Sequence, residues 1–249
     1  DWSSDVCSSD LEKKPFIRGT LMILSFLVVF GILLTPVLHD EHGTPLTGLQ
    51  FADNVFNELS KGSSNFIPTL REAVQSVDGR IVQVSVKLKK ADQAPLAVKV
   101  LNQAGATAKA QDGTVTFSGD LGKILSSAVD DSENLYQNND KNVSAKYNGE
   151  EALKVSSAWW QVLTPSIKEL QKIKLIAEAK VVDQVIRRGI EPGHNFFGVE
   201  PAKVKDHVLL LAAMLIFYIV YTLWYGFSIF ELFEGIGLAM TKSKVKQES

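Results

Sequence analysis

The sequence predicts a membrane protein in which two transmembrane helices flank one α+β extracytoplasmic domain, with a small antiparallel sheet and several helices. Three observations carry this expectation. Residues 19–38 and 208–230 are runs of 20 and 23 residues without Asp, Glu, Lys or Arg, and about 20 apolar residues suffice for a helix to cross a hydrocarbon core of about 30 Å. Between them lies a segment, RIVQVSVKLKK, that alternates apolar and polar residues as a half-buried strand does. Much of the remainder repeats its apolar residues every three to four positions, as amphipathic helices do.

The chain divides accordingly. Residues 1–10, DWSSDVCSSD, have no apolar period and read as a non-native adapter or assembly scar. They hold the only cysteine, Cys7, so an internal disulfide and a Cys-based zinc or redox site are excluded on count. Residues 11–18 form a cytoplasmic N-terminal flank, 19–38 the first transmembrane helix, 39–206 the extracytoplasmic domain, 207–230 the second transmembrane helix and 231–249 a short cytoplasmic tail. The first run is longer than a signal-peptide core, and TPVLHDEH offers no A-x-A cleavage site, so it reads as an uncleaved anchor.

Orientation comes from the flanks. Lys13, Lys14 and Arg18 precede the first run and Lys242, Lys244 and Lys246 follow the second. Basic residues this close to a span stay in the cytoplasm. Both termini are therefore expected inside a bacterial inner (plasma) membrane, with residues 39–206 periplasmic or extracellular. The absence of cysteine from that domain fits a bacterial periplasm better than a disulfide-rich secreted setting.

Within the domain, Phe51, Val55 and Leu59, then Leu70, Ala73, Val74 and Val77, read as two short helices interrupted at Gly62-Ser63-Ser64. Thr69 and Glu72 have the spacing of a capping box at the start of the second, although Pro68 and Ser64 allow an earlier start. Val82, Val84, Val86 and Leu88 form the buried side of a strand, and residues 96–101 are its expected neighbour. Asp112-Gly113 is placed for a tight hairpin, although the alanine-rich stretch 104–110 reads equally as helix. Leu121, Ile124, Leu125, Ala128, Val129 and Leu135 give a clear helical face. After Asn148-Gly149 a second helical region follows. A new helix is expected to start at Thr164-Pro165 and to stop at Gly189-Ile190-Glu191-Pro192-Gly193.

Few residues point to chemistry. His39-Asp40-Glu41-His42, with His207 at the same membrane face, is a weak candidate for a metal site. Four consecutive residues cannot all converge on one ion, so the expected role is simply to carry the chain out of the headgroups, and no metal or other cofactor is expected. Trp159-Trp160 is a candidate ectodomain interface: neighbouring helical residues diverge by about 100°, so one indole can enter the core while the other faces outward. Tyr218, Tyr221, Tyr225, Ser228, Glu231 and Glu234 share one face of the second apolar run, where hydroxyl and carboxyl groups prefer a protein partner to lipid. That face is the expected contact with another membrane protein or a second copy of the chain.

Other classes lack their signatures. G-x-S-x-G, H-E-x-x-H, P-loop and dinucleotide fingerprints do not occur. The acid pairs Asp130-Asp131 and Glu150-Glu151 read as solvated faces. Residues 39–206 carry 20 basic and 21 acidic residues, and the Lys87, Lys89, Lys90 and Lys99 strip has no interleaved aromatics, which argues against nucleic acid. The expected function is a membrane-anchored binding or scaffold protein, an accessory or assembly subunit without catalysis. The alternative is an extracytoplasmic ligand-sensing module that signals through a separate membrane partner.

Overall fold

The computed structural model describes residues 13–40 and 43–238. The expected adapter, Glu41, His42 and the lysines of the C-terminal tail lie outside the described residues. Two compact units are formed, Asp1–Val55 with Val204–Ser249, and Phe56–Lys203.

The first unit holds two long apolar helices, α1 (Lys13–Leu33) and α10 (Val208–Gly235). They pair antiparallel. The start of α1 meets the end of α10, where Arg18 lies 3.5 Å from Glu231, and further along Phe26 stacks on Tyr221 with ring centroids 4.4 Å apart. Glycines permit this approach: a Cβ on Gly19 would sit 2.7 Å from the Leu232 backbone, and one on Gly235 would sit 2.5 Å from that of Phe16. Helix α1 ends before the expected residue 38. Pro36 cannot donate a helical hydrogen bond and biases Thr35 away from helix, and the Thr35 hydroxyl turns back to the Ile32 carbonyl at 2.6 Å. A two-residue hairpin, β1 (Leu38–His39) with β2 (Pro45–Leu46), follows.

Helix α2 (Gly48–Ser63) leads into the second unit, an α+β body. A three-stranded antiparallel sheet has the order β3-β5-β4, with β3 (Ile81–Lys87), β4 (Thr107–Gln111) and β5 (Thr114–Asp120). Strand β3 buries Val82, Val84 and Val86 and leaves the intervening residues outside, where Ser85 and Thr116 share a hydrogen bond of 2.9 Å across the wet face. Asp112 and Gly113 both take positive φ, 51° and 73°, as a two-residue type I′ hairpin turn requires. The stretch 104–110 thus resolves mainly into strand.

Helices α4 (Ala94–Gln103), α5 (Leu121–Tyr136) and α7 (Ala152–Lys172) pack on the sheet, and α3 (Ile67–Gln75), the short α6 (Asp140–Lys146) and α8 (Ile176–Val185) pack against those helices. Their buried residues join those of the sheet in one hydrophobic core. Asp120 caps α5 by accepting a hydrogen bond from the Gly122 N–H at 3.0 Å, which suits an orphan donor at a helix start.

Four expectations are corrected. Residues 96–101 belong to α4, because Ala94, Ala97, Val100 and Leu101 form a buried helical stripe. The Thr69–Glu72 capping box does not form: α3 already begins at Ile67, with Pro68 in its first turn and no side-chain cap. Thr164-Pro165 starts no helix but lies inside α7. There the flanking Val162, Leu163, Ser166 and Leu170 are buried, and that packing outweighs the lost hydrogen bond. Finally, α7 breaks at Lys174, with φ 65°, while the later run 189–193 does not stop its helix. It passes through a π-helical turn, Ile186–Ile190, into α9 (Glu191–Asn195). Widening the helix just ahead of Pro192 relieves the clash its ring would make with the carbonyl four residues back. Gly189 and Gly193 carry this segment against α5, where a Cβ on Gly193 would meet the Ser132 carbonyl oxygen at 2.7 Å.

An ion pair ties α8 to the start of β3: Arg80 Nε donates to Glu178 Oε1 at 2.6 Å. A hydrogen bond from its own backbone N–H, followed by the Arg80 bond, holds the Glu178 carboxyl below its ordinary 4.5. A depressed folded pKa stabilises above the unfolded value, and that contribution is lost as pH falls through the folded one. Glu178→Gln is therefore expected to lower stability at neutral pH and to flatten the acid limb below 4.5. Denaturation midpoints of both proteins from pH 7 downward check it, and parallel curves would refute it.

A candidate binding cleft beside Trp160

The adjacent tryptophans of α7 point in different directions. Trp159 is 1% exposed and lies in the core, where its Nε1 donates to Asp131 Oδ2 at 2.8 Å. Asp131 also accepts from the Tyr147 hydroxyl at 2.6 Å and from Lys146 Nζ at 2.7 Å. Burial, with the Asp131 carboxylate beside it, pushes the Tyr147 phenol above its ordinary range. Asp131 is therefore a buried, fully engaged acceptor and not part of a solvated face; its neighbour Asp130 does face outward, paired with Arg71 at 2.8 Å.

Trp160 is half-buried and faces a cleft of about 180 Å³ between α7 and the segment that follows the π turn. Its Nε1 donates to Glu191 Oε1 at 3.2 Å, and Lys89 Nζ lies 5.7 Å from the centre of its ring. Ser156, one helical turn earlier, shares this face of α7, while Ile190, Glu191, His194 and Asn195 supply the opposite wall. The Ser156 hydroxyl is buried and has no hydrogen-bond partner. The π turn sets this wall, since the extra residue it accommodates shifts the angular position of everything after it.

A second polar centre lies where the two ends of the body meet. Lys61, at 2% exposure, reaches Asn138 Oδ1 at 3.1 Å and the Phe196 carbonyl at 3.0 Å, and also donates to the Val199 carbonyl. The Tyr136 hydroxyl donates to the Lys61 carbonyl, and the Ala202 N–H donates to the Glu58 carbonyl at 3.0 Å. Burial lowers the Lys61 pKa, with Glu200 opposing. Its three acceptors make it a fastening between the two ends of the body.

The residues singled out from sequence sort as follows. His39 is exposed on β1, and His42 lies outside the described residues. Asp40 closes the hairpin turn, its Oδ1 accepting from the Thr44 N–H at 2.7 Å. Among the described residues no group of three or more His, Cys, Asp or Glu is placed to hold a metal. On the tyrosine face of α10, Tyr221 and Tyr225 contact Phe26 of α1, Ser228 is buried and Glu231 pairs with Arg18. The contact seen for Tyr221, Tyr225 and Glu231 is thus with the chain's own first helix, while Tyr218 is 64% exposed. Sequence reasoning missed Ser156, Glu191 and Lys61 as site residues, none of which belongs to a local functional motif.

Comparison of the chain with protein-family models, with curated proteins and with solved structures gives no match.

Proposed function

We propose that the chain is a membrane-anchored binding or scaffold protein, an accessory or assembly subunit that acts by holding a partner and carries out no covalent step. The α1–α10 pair anchors it in a bacterial inner membrane, both termini are cytoplasmic, and residues 39–206 form the extracytoplasmic domain. The observation that carries this reading is the outward surface of the two helices. Leu21, Leu24, Leu27 and Val28 on α1, and Leu209, Leu215, Ile216 and Phe227 on α10, are exposed. An apolar surface this continuous needs lipid or protein against it. The antiparallel pairing adds to this: helices that cross a bilayer in opposite directions leave the start of α1 and the end of α10 on one side, consistent with the basic flanks. Tyr218, which is exposed, is the point at which a second membrane protein or another copy is expected to touch.

The test is accessibility in intact cells, after replacing Cys7 with Ser. A cysteine at Gln111, exposed on β4, is expected to react with a membrane-impermeant maleimide admitted to the periplasm. A cysteine at Ser243 is expected to react only after the inner membrane is opened. Labelling of Ser243 in sealed cells would refute the arrangement.

A further inference from the structure

We propose that the cleft beside Trp160 binds a small organic cation, a protonated primary amine or a quaternary ammonium, with Glu191 as its counter-ion. The site belongs to the α+β body alone, so it stands or falls independently of the membrane anchor.

The walls of the cleft present acceptors with capacity to spare. Glu191 engages the Trp160 indole and, among the described residues, makes no ion pair within 4.0 Å. Arg187, one helical turn earlier, is already held by Asp183 at 2.8 Å. The buried Ser156 hydroxyl has no partner, and such groups in native interiors are normally satisfied by protein, water or ligand. An ammonium brings three donors and no acceptor, which suits the Glu191 carboxylate on one wall and the unengaged Ser156 hydroxyl beneath the other. The indole supplies the remaining interaction, because a cation is drawn to the face of tryptophan. Lys89 already makes this contact at 5.7 Å, showing that the ring offers a face to positive charge. An anion would meet the Glu191 carboxylate, and a metal ion would lack ligands, since no three ligating side chains gather among the described residues. The volume of about 180 Å³ suits a headgroup-sized molecule.

The experiment uses the full chain in detergent micelles, nitrogen-labelled at tryptophan, with the Trp160 indole N–H resonance assigned by Trp160→Phe. Ethanolamine hydrochloride and tetramethylammonium chloride are titrated, with sodium acetate and glycerol as controls. Both amines are expected to shift the Trp160 signal saturably, and neither control should. Glu191→Gln, which retains an acceptor for the indole, is expected to weaken both amines by about tenfold at an unchanged thermal midpoint. Ser156→Ala should weaken ethanolamine by roughly two- to fivefold and leave tetramethylammonium, which has no N–H, unaffected. Lys89→Met removes the internal competitor and should tighten both. Absence of a saturable shift with either amine, an equal response to acetate, or unchanged affinity in Glu191→Gln would overturn the proposal.

Discussion

Replacing Asp131 with alanine is expected to cost about 3 kcal/mol, a fall in Tm of roughly 10 °C, because removing one partner of a buried ionic network strands the others. The carboxylate receives the Tyr147 hydroxyl, the Trp159 indole and the Lys146 ammonium. Alanine leaves the indole inside the core with nothing to bond and the phenol with only the Ser127 hydroxyl beside it. Lys146 is less affected, since its side chain is 29% exposed and can turn to water, which keeps the estimate at the low end of what buried pairs cost. Asp131→Asn supplies a carbonyl for Tyr147 and Trp159 but no charge for Lys146, so it should lose about half as much. Chemical denaturation followed by near-ultraviolet circular dichroism reads both variants. A loss below about 1 kcal/mol for the alanine variant would mean that the core repacks around the gap.

An equally large effect is expected from one glycine between the apolar helices. With Phe26 and Tyr221 both replaced by cysteine in a Cys7→Ser background, a short bis-maleimide should join α1 to α10 efficiently, because the native side chains meet between the helices with ring centroids 4.4 Å apart. Adding Gly19→Ile is expected to reduce that crosslink to about a tenth or less, since overpacking against main chain cannot be relieved by a rotamer change. The clash is with the Leu232 backbone at 2.7 Å. Gly226→Ile is the control: a Cβ there meets nothing within 4 Å, and crosslinking should persist. Equal loss in both variants would attribute the effect to the apolar surface in general and not to the close approach at Gly19.

The parts of the fold that a local period defines were legible before any coordinates. Val82, Val84 and Val86 alternate because one side of β3 is wet, and the stripe from Leu121 to Leu135 repeats because one side of α5 is buried. Where a short apolar run fitted two periods, the reading failed. Residues 96–101 are rich enough in valine to pass for a strand, yet the stripe that decides the matter begins at Ala94, outside that window. Pro165 and Pro192 misled for a different reason: local propensity argues for breaks, but buried flanks and a π turn absorb both prolines. The candidate site was legible only at Trp160. Glu191 lies 31 residues further along the chain, and Asp131 is 28 residues from Trp159; pairings of that span leave no trace in neighbouring sequence.

The fastening at Lys61 has a mechanical consequence. Residues 58–61 are bonded to residues 196–202, so the body is a closed loop whose entry and exit segments are clipped together at its mouth. Tension that draws those two segments apart is borne first by the bonds of one ammonium and one amide. The sheet and its helices lie inside the loop, beyond the load path, and stay slack until the clip gives way. Lys61 is thus the residue on which that closure chiefly rests.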